Sequence, residues 1–131
     1  MNPNSGNQIL SKTRSRSPAL SVVVAANRPW PAIRDCLDRL CAQSSEEITE
    51  IVLADSSDQG LPVDFQRTYG RVRWLKFAGN SVFALRAHGV SAALGKIIAV
   101  TEDHCIVGQN WCERLINSHD KNPDKLLISG P

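Results

Sequence analysis

Apolar residues along this chain follow two alternating patterns. The β-branched run "ALSVVVAA" at 19–26 is almost continuously apolar, which is typical of strands buried on both faces of a parallel sheet. The next segment repeats apolar residues at helical spacing, from near Pro29 and Pro31, which a first helical turn tolerates, to about Gln43. Its apolar stripe consists of Ile33, Cys36, Leu37, Leu40 and Cys41. The first predicted unit is therefore a buried strand followed by an amphipathic helix.

The same alternation of strand and helix continues along the chain. Further strands are predicted at 50–54, 71–78 and 96–101, with the start of another at 125–130. Further helices are predicted at 82–94 and 109–119. Ser81 is placed to cap the first of these helices and Gly95 to end it, while small residues such as Gly89 let it lie close to its sheet. We expect the strand at 71–78 near an edge, because its Arg and Lys side chains need water.

Strands that alternate with helices predict right-handed crossovers between parallel strands. We therefore predict an α/β fold with three layers, α/β/α, around a mainly parallel sheet. The 131 residues have room for one such domain, at 19–131, after a polar, basic and disordered tail at 1–18. Ligands of such sheets bind outside the carboxyl ends of the strands. The polar residues expected at that edge are Asn27 and Arg28, 55–58 and 102–104.

The net charge of +2 is confined to the tail, where Lys12, Arg14 and Arg16 have no acidic neighbours. The rest of the chain is close to neutral and has no basic stripe on a predicted element, which argues against a nucleic-acid partner. No stretch is long and apolar enough for a signal peptide or a transmembrane span. We expect a cytoplasmic protein, for which peripheral membrane association stays open.

The four cysteines are expected to be reduced thiols, because no export signal accompanies them. Cys36, Cys41 and Cys112 belong to apolar helix stripes and are interpreted as small core side chains. A zinc site is the alternative, although it lacks tight paired ligand spacing. Its ligands would be Cys105, Cys112, His104 and His119.

The triplet Glu102, Asp103 and His104 interrupts an apolar run at a predicted strand end. Crowded carboxylates repel each other unless a cation or a proton intervenes. Carboxylate oxygens suit Mg²⁺ or Mn²⁺, and an imidazole favours Mn²⁺. The alternative is a polar loop in which Asp103 caps a turn and His104 is exposed.

The run "NSVFALRAHGVSAALGKIIAVTEDHCIVGQNWCERLINSH" resembles the family 2 glycosyltransferases, whose nucleotide-sugar-binding half has the GT-A fold. The matching features are Arg86, Gly89, Gly95, the strand from Lys96 to Thr101, the acidic triplet in the place of a D-x-D motif, and Trp111. The segment "SVVVAANRPWPAIRDCLDRLCAQ" looks like the first strand, loop and helix of that family, and "EIVLADSSDQG" resembles its "V-V-D-N-S-S-D-D-G" turn. The resemblance covers about Ala19 to Pro131.

The resemblance implies a role for each matching position. It implies nucleobase contacts around 25–28, from Ala26, Asn27 and Arg28, and a base or ribose contact from Asp55. It implies a diphosphate-side role for Arg86, sugar-phosphate contacts from Glu102 and Asp103, and a Mn²⁺ or Mg²⁺ ion on Asp103 and His104. The chain departs from the family pattern at Ala54, Ala87 and His104, where the family more often has Asp, Asn and Asp.

Several of these residues also have a purely structural interpretation. Arg28 fits a loop cation, and Arg86 fits an ion pair with Asp103. Asp55 fits the acceptor of an Asx turn. These alternatives stay open from the sequence alone.

The end of the chain bears on activity. In the family, the acceptor site and the general base lie beyond the strand that "LLISGP" begins, so no catalytic base is identified and we expect a domain truncated at its C-terminus. The function expected from the resemblance is metal-dependent binding of a nucleotide-diphosphate sugar for transfer to an unknown acceptor, with enzymatic activity if the protein continues past Pro131. The alternative is a non-catalytic nucleotide-binding or regulatory module of the same fold.

Overall fold

A computed structural model describes residues 17–43 and 49–124. Its strands are β1 Leu20–Ala26, β2 Thr49–Asp55, β3 Val72–Lys76 and β4 Ile97–Glu102. Its helices are α1 Arg34–Gln43, α2 Phe65–Thr68, α3 Val82–Ala92 and α4 Trp111–Lys121. Most of the predicted tail and the strand predicted at 125–130 lie outside the described residues.

The described strands form one parallel sheet in the order β3-β2-β1-β4. The predicted α/β fold with a parallel sheet is therefore confirmed, and β3 lies at an edge as expected. All of β1 is buried, because it has a strand on each side and helices on both faces. Its continuous apolar run is what that position requires.

Helices cover the two faces of the sheet unequally. Side chains of α1, α2 and α4 pack with one face of β1 and β2 in the main core. The opposite face is covered by α3, whose Leu85 packs against Ala25 and Ala54. Beside α3, no described helix covers Ile98 and Val100 of β4, and both side chains are exposed. None of the described helices is long and apolar enough to cross a membrane.

Cys36, Cys41 and Cys112 pack in the main core from α1 and α4, as predicted. All four cysteines are free, and burial raises the pKa of Cys36 to about 12 and that of Cys112 to about 11. Both thiols therefore stay protonated at neutral pH. The zinc alternative finds no support in the geometry, since no group of three or more His, Cys, Asp or Glu side chains among the described residues is placed to hold a metal ion.

One helix was not predicted and one begins later than expected. The short α2 follows Asp64 and places Phe65 and Tyr69 against Trp30, with ring centroids 5.7 Å from Trp30 in each pair. Four residues are too few to show a helical period, so only the packing of its side chains identifies this helix.

The segment at 29–33 forms tight turns, with Ala32 N donating to the Pro29 carbonyl at 3.0 Å, and the regular helix α1 begins only at Arg34.

Two small residues and a cap position α3 against the sheet. The Ser81 hydroxyl accepts a hydrogen bond from Ala84 N at 3.2 Å, which confirms the predicted N-cap. A Cβ on Gly89 would lie 2.3 Å from Cγ1 of Val23, so glycine is what allows this close approach. Gly95 was predicted as the helix end, but α3 ends at Ala92 and Gly95 does not adopt a left-handed conformation. A side chain on Gly95 is excluded instead because its Cβ would lie 2.6 Å from the Ser21 backbone nitrogen.

The carboxylate of Glu50, whose side chain is 9% exposed, joins the segment after α3 to the sheet. Glu50 Oε2 accepts hydrogen bonds from the Ser21 hydroxyl at 2.6 Å and from Leu94 N at 2.9 Å, and Arg73 pairs with Oε1. Burial acts to raise the pKa of Glu50, but these hydrogen bonds and the Arg73 charge outweigh it and lower the pKa below its usual value. The ionised form of Glu50 is therefore the one that the fold stabilises.

We expect Gly89→Ala to lower the free energy of unfolding by about 1–3 kcal/mol, since the new methyl must displace Val23 or the helix. Chemical denaturation measures the change. Ser91→Ala, an exposed change on the same helix, is the control. A stabilised Gly89→Ala protein, as helix propensity alone would give, would contradict the close approach.

The lowered pKa of Glu50 predicts a pH-dependent contribution to stability. The stabilisation is fully present above the usual pKa of 4.5 and is lost as the pH falls through the lower folded-state value. The melting temperature of Glu50→Gln should lie below that of the unmodified chain at pH 6 to 7, and the gap should narrow on acidification below about pH 4.5. The control is Glu113→Gln, at an exposed position, which should melt at the same temperature as the unmodified chain. A melting-temperature difference for Glu50→Gln that does not change with pH would contradict the lowered pKa of Glu50.

Candidate functional site

Parallel pairing brings the polar strand ends to one edge of the sheet. In the register of the sheet, Ala26 is the partner of Asp55, and Ala25 is the partner of Glu102. The backbone N–H of Asp103 donates to the Ala25 carbonyl at 3.2 Å. The residues predicted after three different strands thus meet, as the sequence indicated. We call this group of strand ends and loops the carboxyl edge.

Asp103 is a buried carboxylate of the carboxyl edge that accepts several hydrogen bonds. Its side chain is 4% exposed, and its Oδ2 accepts hydrogen bonds from the backbone N–H groups of Asn27 and Arg28, both at 3.0 Å. Its Oδ1 accepts one from Arg28 Nε at 3.1 Å. Asp103 therefore receives hydrogen bonds from the loop that follows β1, about 75 residues earlier in the chain.

Arg28 returns further hydrogen bonds to the same region. Its Nη2 donates to the Asp103 carbonyl at 2.9 Å and to the Ala32 carbonyl at 3.1 Å. The guanidinium is partly exposed, so one side of it faces solvent while the other joins the loops after β1 and β4. In this structure Arg28 is an ion-pair partner as well as a loop cation.

Glu102 and His104 form the solvent-facing part of the acidic triplet. Glu102 pairs with Arg86 of α3, so the structural partner of Arg86 is Glu102 rather than Asp103. His104 Nδ1 lies 3.5 Å from Glu102 Oε2 and 3.7 Å from Asp103 Oδ1. The side chains of His104 and Glu102 are 59% and 34% exposed. An approaching ligand would therefore meet Glu102 and His104 first.

The donor atoms of the triplet fit a divalent cation only in part. The Nδ1 atom of His104 lies within 3.7 Å of one carboxylate oxygen of Glu102 and one of Asp103. In the part of the chain described, however, no group of three or more His, Cys, Asp or Glu side chains is placed to hold a metal ion. Mg²⁺ is commonly held by one or two carboxylates together with substrate phosphates. A cation here would need such additional ligands.

Asp55 turns into the protein at the end of β2. The residue is 1% exposed; its Oδ1 accepts from Ser57 N at 2.8 Å, which is the Asx turn, and its Oδ2 accepts from the Trp74 indole N–H at 3.1 Å. Lys76 Nζ lies 3.7 Å from Oδ2 and donates to the Ser57 carbonyl at 2.5 Å. Asp55 therefore stabilises the loop after β2. These contacts are those expected for the acceptor of an Asx turn.

Trp74, Lys76 and Cys36 are residues of the carboxyl edge that sequence reasoning did not identify. Cys36 donates a weak hydrogen bond from Sγ to the Glu102 carbonyl at 3.7 Å. Lys76 is the register partner of Asp55, so aligning the end of β3 with that of β2 would have found it. Trp74 and Cys36 carry no signal beyond their apolar spacing.

We expect Asp55→Ala to lower the free energy of unfolding by about 1–3 kcal/mol, because it leaves the part-buried Trp74 indole N–H without its acceptor. The indole N–H resonance of Trp74 should shift in the same variant. Asp58→Ala, at an exposed position of the same loop, is the control and should leave both unchanged. An Asp55→Ala protein as stable as the control would contradict the structural role.

Comparison with known proteins gives a consistent result. The model of the family "Glycosyl transferase family 2" matches residues 21–130. Two proteins of Bacillus subtilis (strain 168) match over 116 residues: EpsH, named only provisionally as a glycosyltransferase, is 25% identical, and EpsJ, named as an uncharacterized glycosyltransferase, is 23% identical. Each match covers 86% of this chain and 34% of the relative, so the chain spans about a third of the length of these curated relatives.

A solved structure resembles the fold. The crystal structure of S. aureus TarS 1–349 matches with a TM-score of 0.66 at 13% identity, over 78% of this chain and 32% of that chain. At that identity the likeness concerns the fold alone. It agrees with the GT-A arrangement expected from the sequence motifs.

Proposed function

The chain belongs to glycosyl transferase family 2, and from that membership we propose that it binds a nucleotide-diphosphate sugar with a divalent metal ion, for transfer of the sugar to an acceptor. The observation that carries the proposal is the convergence at the carboxyl edge of the loop after β1, Arg86 and the triplet at 102–104. Because the chain spans about a third of its relatives, the transfer step is proposed for the whole protein.

Nucleotide binding is assigned to the loop that follows β1. Ala26 ends that strand beside Asp55, and Asn27 is exposed. The hydrogen bonds to Asp103 hold Asn27 and Arg28 in one conformation. A preformed loop loses less conformational entropy when it binds a base or ribose. Asp55 contributes through the shape of the neighbouring loop.

Diphosphate binding is assigned to Arg86 and the triplet. Arg86 is partly exposed, and guanidinium groups bind phosphate oxygens through charge-assisted hydrogen bonds. Mn²⁺ or Mg²⁺ bound with Glu102, Asp103 and His104 would neutralise the diphosphate and stabilise it as a leaving group. Arg86 and Glu102 neutralise each other, and the charge of a divalent cation would be offset by that of the diphosphate bound with it.

A second candidate is a non-catalytic nucleotide-binding or regulatory module of the same fold. The bonding of Asp103 favours it, because a carboxylate that already accepts three hydrogen bonds is a poor metal ligand. In this candidate the nucleotide would bind without a metal ion.

Calorimetric titration with UDP and with GDP, each with Mn²⁺ and with EDTA, tests the proposal. We expect one nucleotide to bind in a Mn²⁺-dependent way. His104→Ala should weaken that binding at least about tenfold in Mn²⁺, as expected for loss of a metal-site residue, and should have no effect in EDTA. A folded chain that binds equally well in EDTA would favour the non-catalytic module, and one that binds neither nucleotide would contradict both candidates.

Arg86→Ala separates the diphosphate contact from the base contact. It should weaken binding of the nucleoside diphosphate about tenfold or more, since hydrogen bonds to charged groups contribute about 1.5–3 kcal/mol, and leave nucleoside binding unchanged. Arg114→Ala, which removes an exposed arginine on α4, is the matched control for loss of one positive charge. Equal losses for Arg86→Ala and the control would exclude a specific diphosphate contact.

A further inference from the structure

We infer that two copies of this chain pair through β4 in antiparallel orientation, so that their two sheets continue as one. This interface lies along the side of the sheet, whereas the proposed nucleotide site lies at the carboxyl ends of its strands. Three properties of β4 support the pairing. Its backbone directs hydrogen-bonding groups away from β1, its apolar side chains on the α3 side are exposed, and its sequence is complementary to itself.

The backbone of β4 is arranged to accept a further strand. In the described part of the chain the sheet ends at β4, which pairs with β1 on one side. The N–H of Ile97 donates toward β1, to the Ala19 carbonyl at 3.0 Å. Because the backbone groups of successive residues in a strand point to alternate sides, those of Ile98 and Val100 point outward. An edge of this kind is a template for pairing with another strand.

Apolar side chains line the same edge on the α3 side of the sheet. Glu102 reaches Arg86 of α3. Because alternate residues of a strand share a face, Ile98 and Val100 lie on that face as well, and they are 38% and 44% exposed. Phe83 of α3 is 78% exposed, and its ring centroid lies 5.7 Å from Cζ of Arg86. Exposed apolar residues that are grouped in this way are typical of an interaction surface.

The sequence of β4 is complementary to itself when two copies run antiparallel. The run "KIIAVTE", from Lys96 to Glu102, has Ala99 at its centre. If Ala99 lies opposite Ala99 of the second copy, Ile98 lies opposite Val100, and the two β-branched side chains pack together. Lys96, which is exposed, then lies opposite Glu102, and the opposite charges attract. Two-fold symmetry makes each of these pairs occur twice.

The backbone selects the same register. Ile98 and Val100 both direct their N–H and C=O groups outward, so as opposite residues they exchange two hydrogen bonds, as antiparallel ladders require. A shift by one residue would place outward groups opposite groups that point to β1. A shift by two would place Lys96 opposite Val100, or Glu102 opposite Ile98, and so set a charge against an apolar side chain. The register centred on Ala99 is therefore the one that satisfies both backbone and side chains.

Sedimentation equilibrium of the 131-residue chain over a range of concentrations measures the association. A thiol reductant is present because all four cysteines are free and could form intermolecular disulfides. Interfaces that bury less than about 1,200 Å² form weak complexes, so we expect from one pair of strands a dimer that dissociates on dilution. The variants are Lys96→Glu and Glu102→Lys. Lys121→Glu, at an exposed position of α4, is the matched control for the change of charge.

Lys96→Glu and Glu102→Lys should each weaken the association at least about tenfold, since two opposite-charge pairs become two like-charge pairs. They change the net charge in opposite directions, so net charge alone does not give this result. An equimolar mixture of the two variants should recover dimers, because opposite charges then meet at both ends of the strand pair. Lys121→Glu should associate as the unmodified chain does. In a mixture with Glu102→Lys it should recruit less of that variant than Lys96→Glu does, because one like-charge pair remains.

Hydrogen exchange of single amides tests the register. The N–H groups of Ile98 and Val100 should exchange rapidly in the dilute monomer and slowly in the dimer, because the second copy supplies their acceptors. The N–H of Ala99 points to β1 and should be protected at both concentrations.

Three results would overturn the pairing. The first is a chain that is monomeric at every concentration. The second is a dimer that Lys96→Glu does not weaken, or in which Ile98 and Val100 still exchange rapidly, because such a dimer uses another surface. The third is slow exchange of these two amides in the monomer, which would mean that another segment of the same chain, such as 125–130, covers β4.

A second pair of variants serves if Glu102→Lys does not fold by circular dichroism. Ile98→Lys and Val100→Glu change exposed positions and each set a charge against an apolar side chain of the second copy. Each alone should weaken the dimer, and their mixture should restore it, because the new lysine and the new glutamate lie opposite each other. A mixture that stays monomeric would contradict the register.

Discussion

Parallel pairing of β1 with a strand on each side is the constraint on which the carboxyl edge depends. The pairing places Ala26 beside Asp55 and Ala25 beside Glu102, so segments far apart in the chain end at one edge. It buries every residue of β1, and these are apolar except Ser21, whose hydroxyl donates to Glu50. A polar substitution at an apolar position of β1 would therefore disturb the site as well as the core, since β1 sets the register of both β2 and β4.

Strand geometry then sorts the charges of the carboxyl edge. Glu102 and Asp103 are adjacent in the chain, yet each has its own arginine: Arg86 on the α3 side and Arg28 on the other. Each carboxylate is neutralised locally, which offsets the repulsion that a pair of adjacent carboxylates would otherwise cause. His104 lies between them in solvent. The site is thus electrostatically balanced without a bound cation and still presents two donor groups outward.

Asp55 shows how the same edge is stabilised from β2. Its carboxylate is shared by the Ser57 backbone, the Trp74 indole and the Lys76 ammonium. The neighbouring Ala54 faces Leu85 of α3 in the smaller core, where an aspartate would be buried in apolar surroundings. The departure from the family at this position therefore accompanies a tightly packed contact between β2 and α3.

The sequence by itself determined the order of the described strands and of the helices other than α2, the parallel α/β fold, the Ser81 cap and the family, because periodicity, capping and motif order are local properties of the chain. It also placed the polar residues that follow β1, β2 and β4 at one edge, since parallel strands share their carboxyl ends. The tertiary structure alone decided that Arg86 pairs with Glu102, that Asp103 bonds the loop after β1, that Asp55 turns inward and that Gly95 is required by Ser21. These outcomes depend on strand register and on which face each side chain points to. Neither can be read from one segment, because partners such as Asn27 and Asp103 lie 76 residues apart.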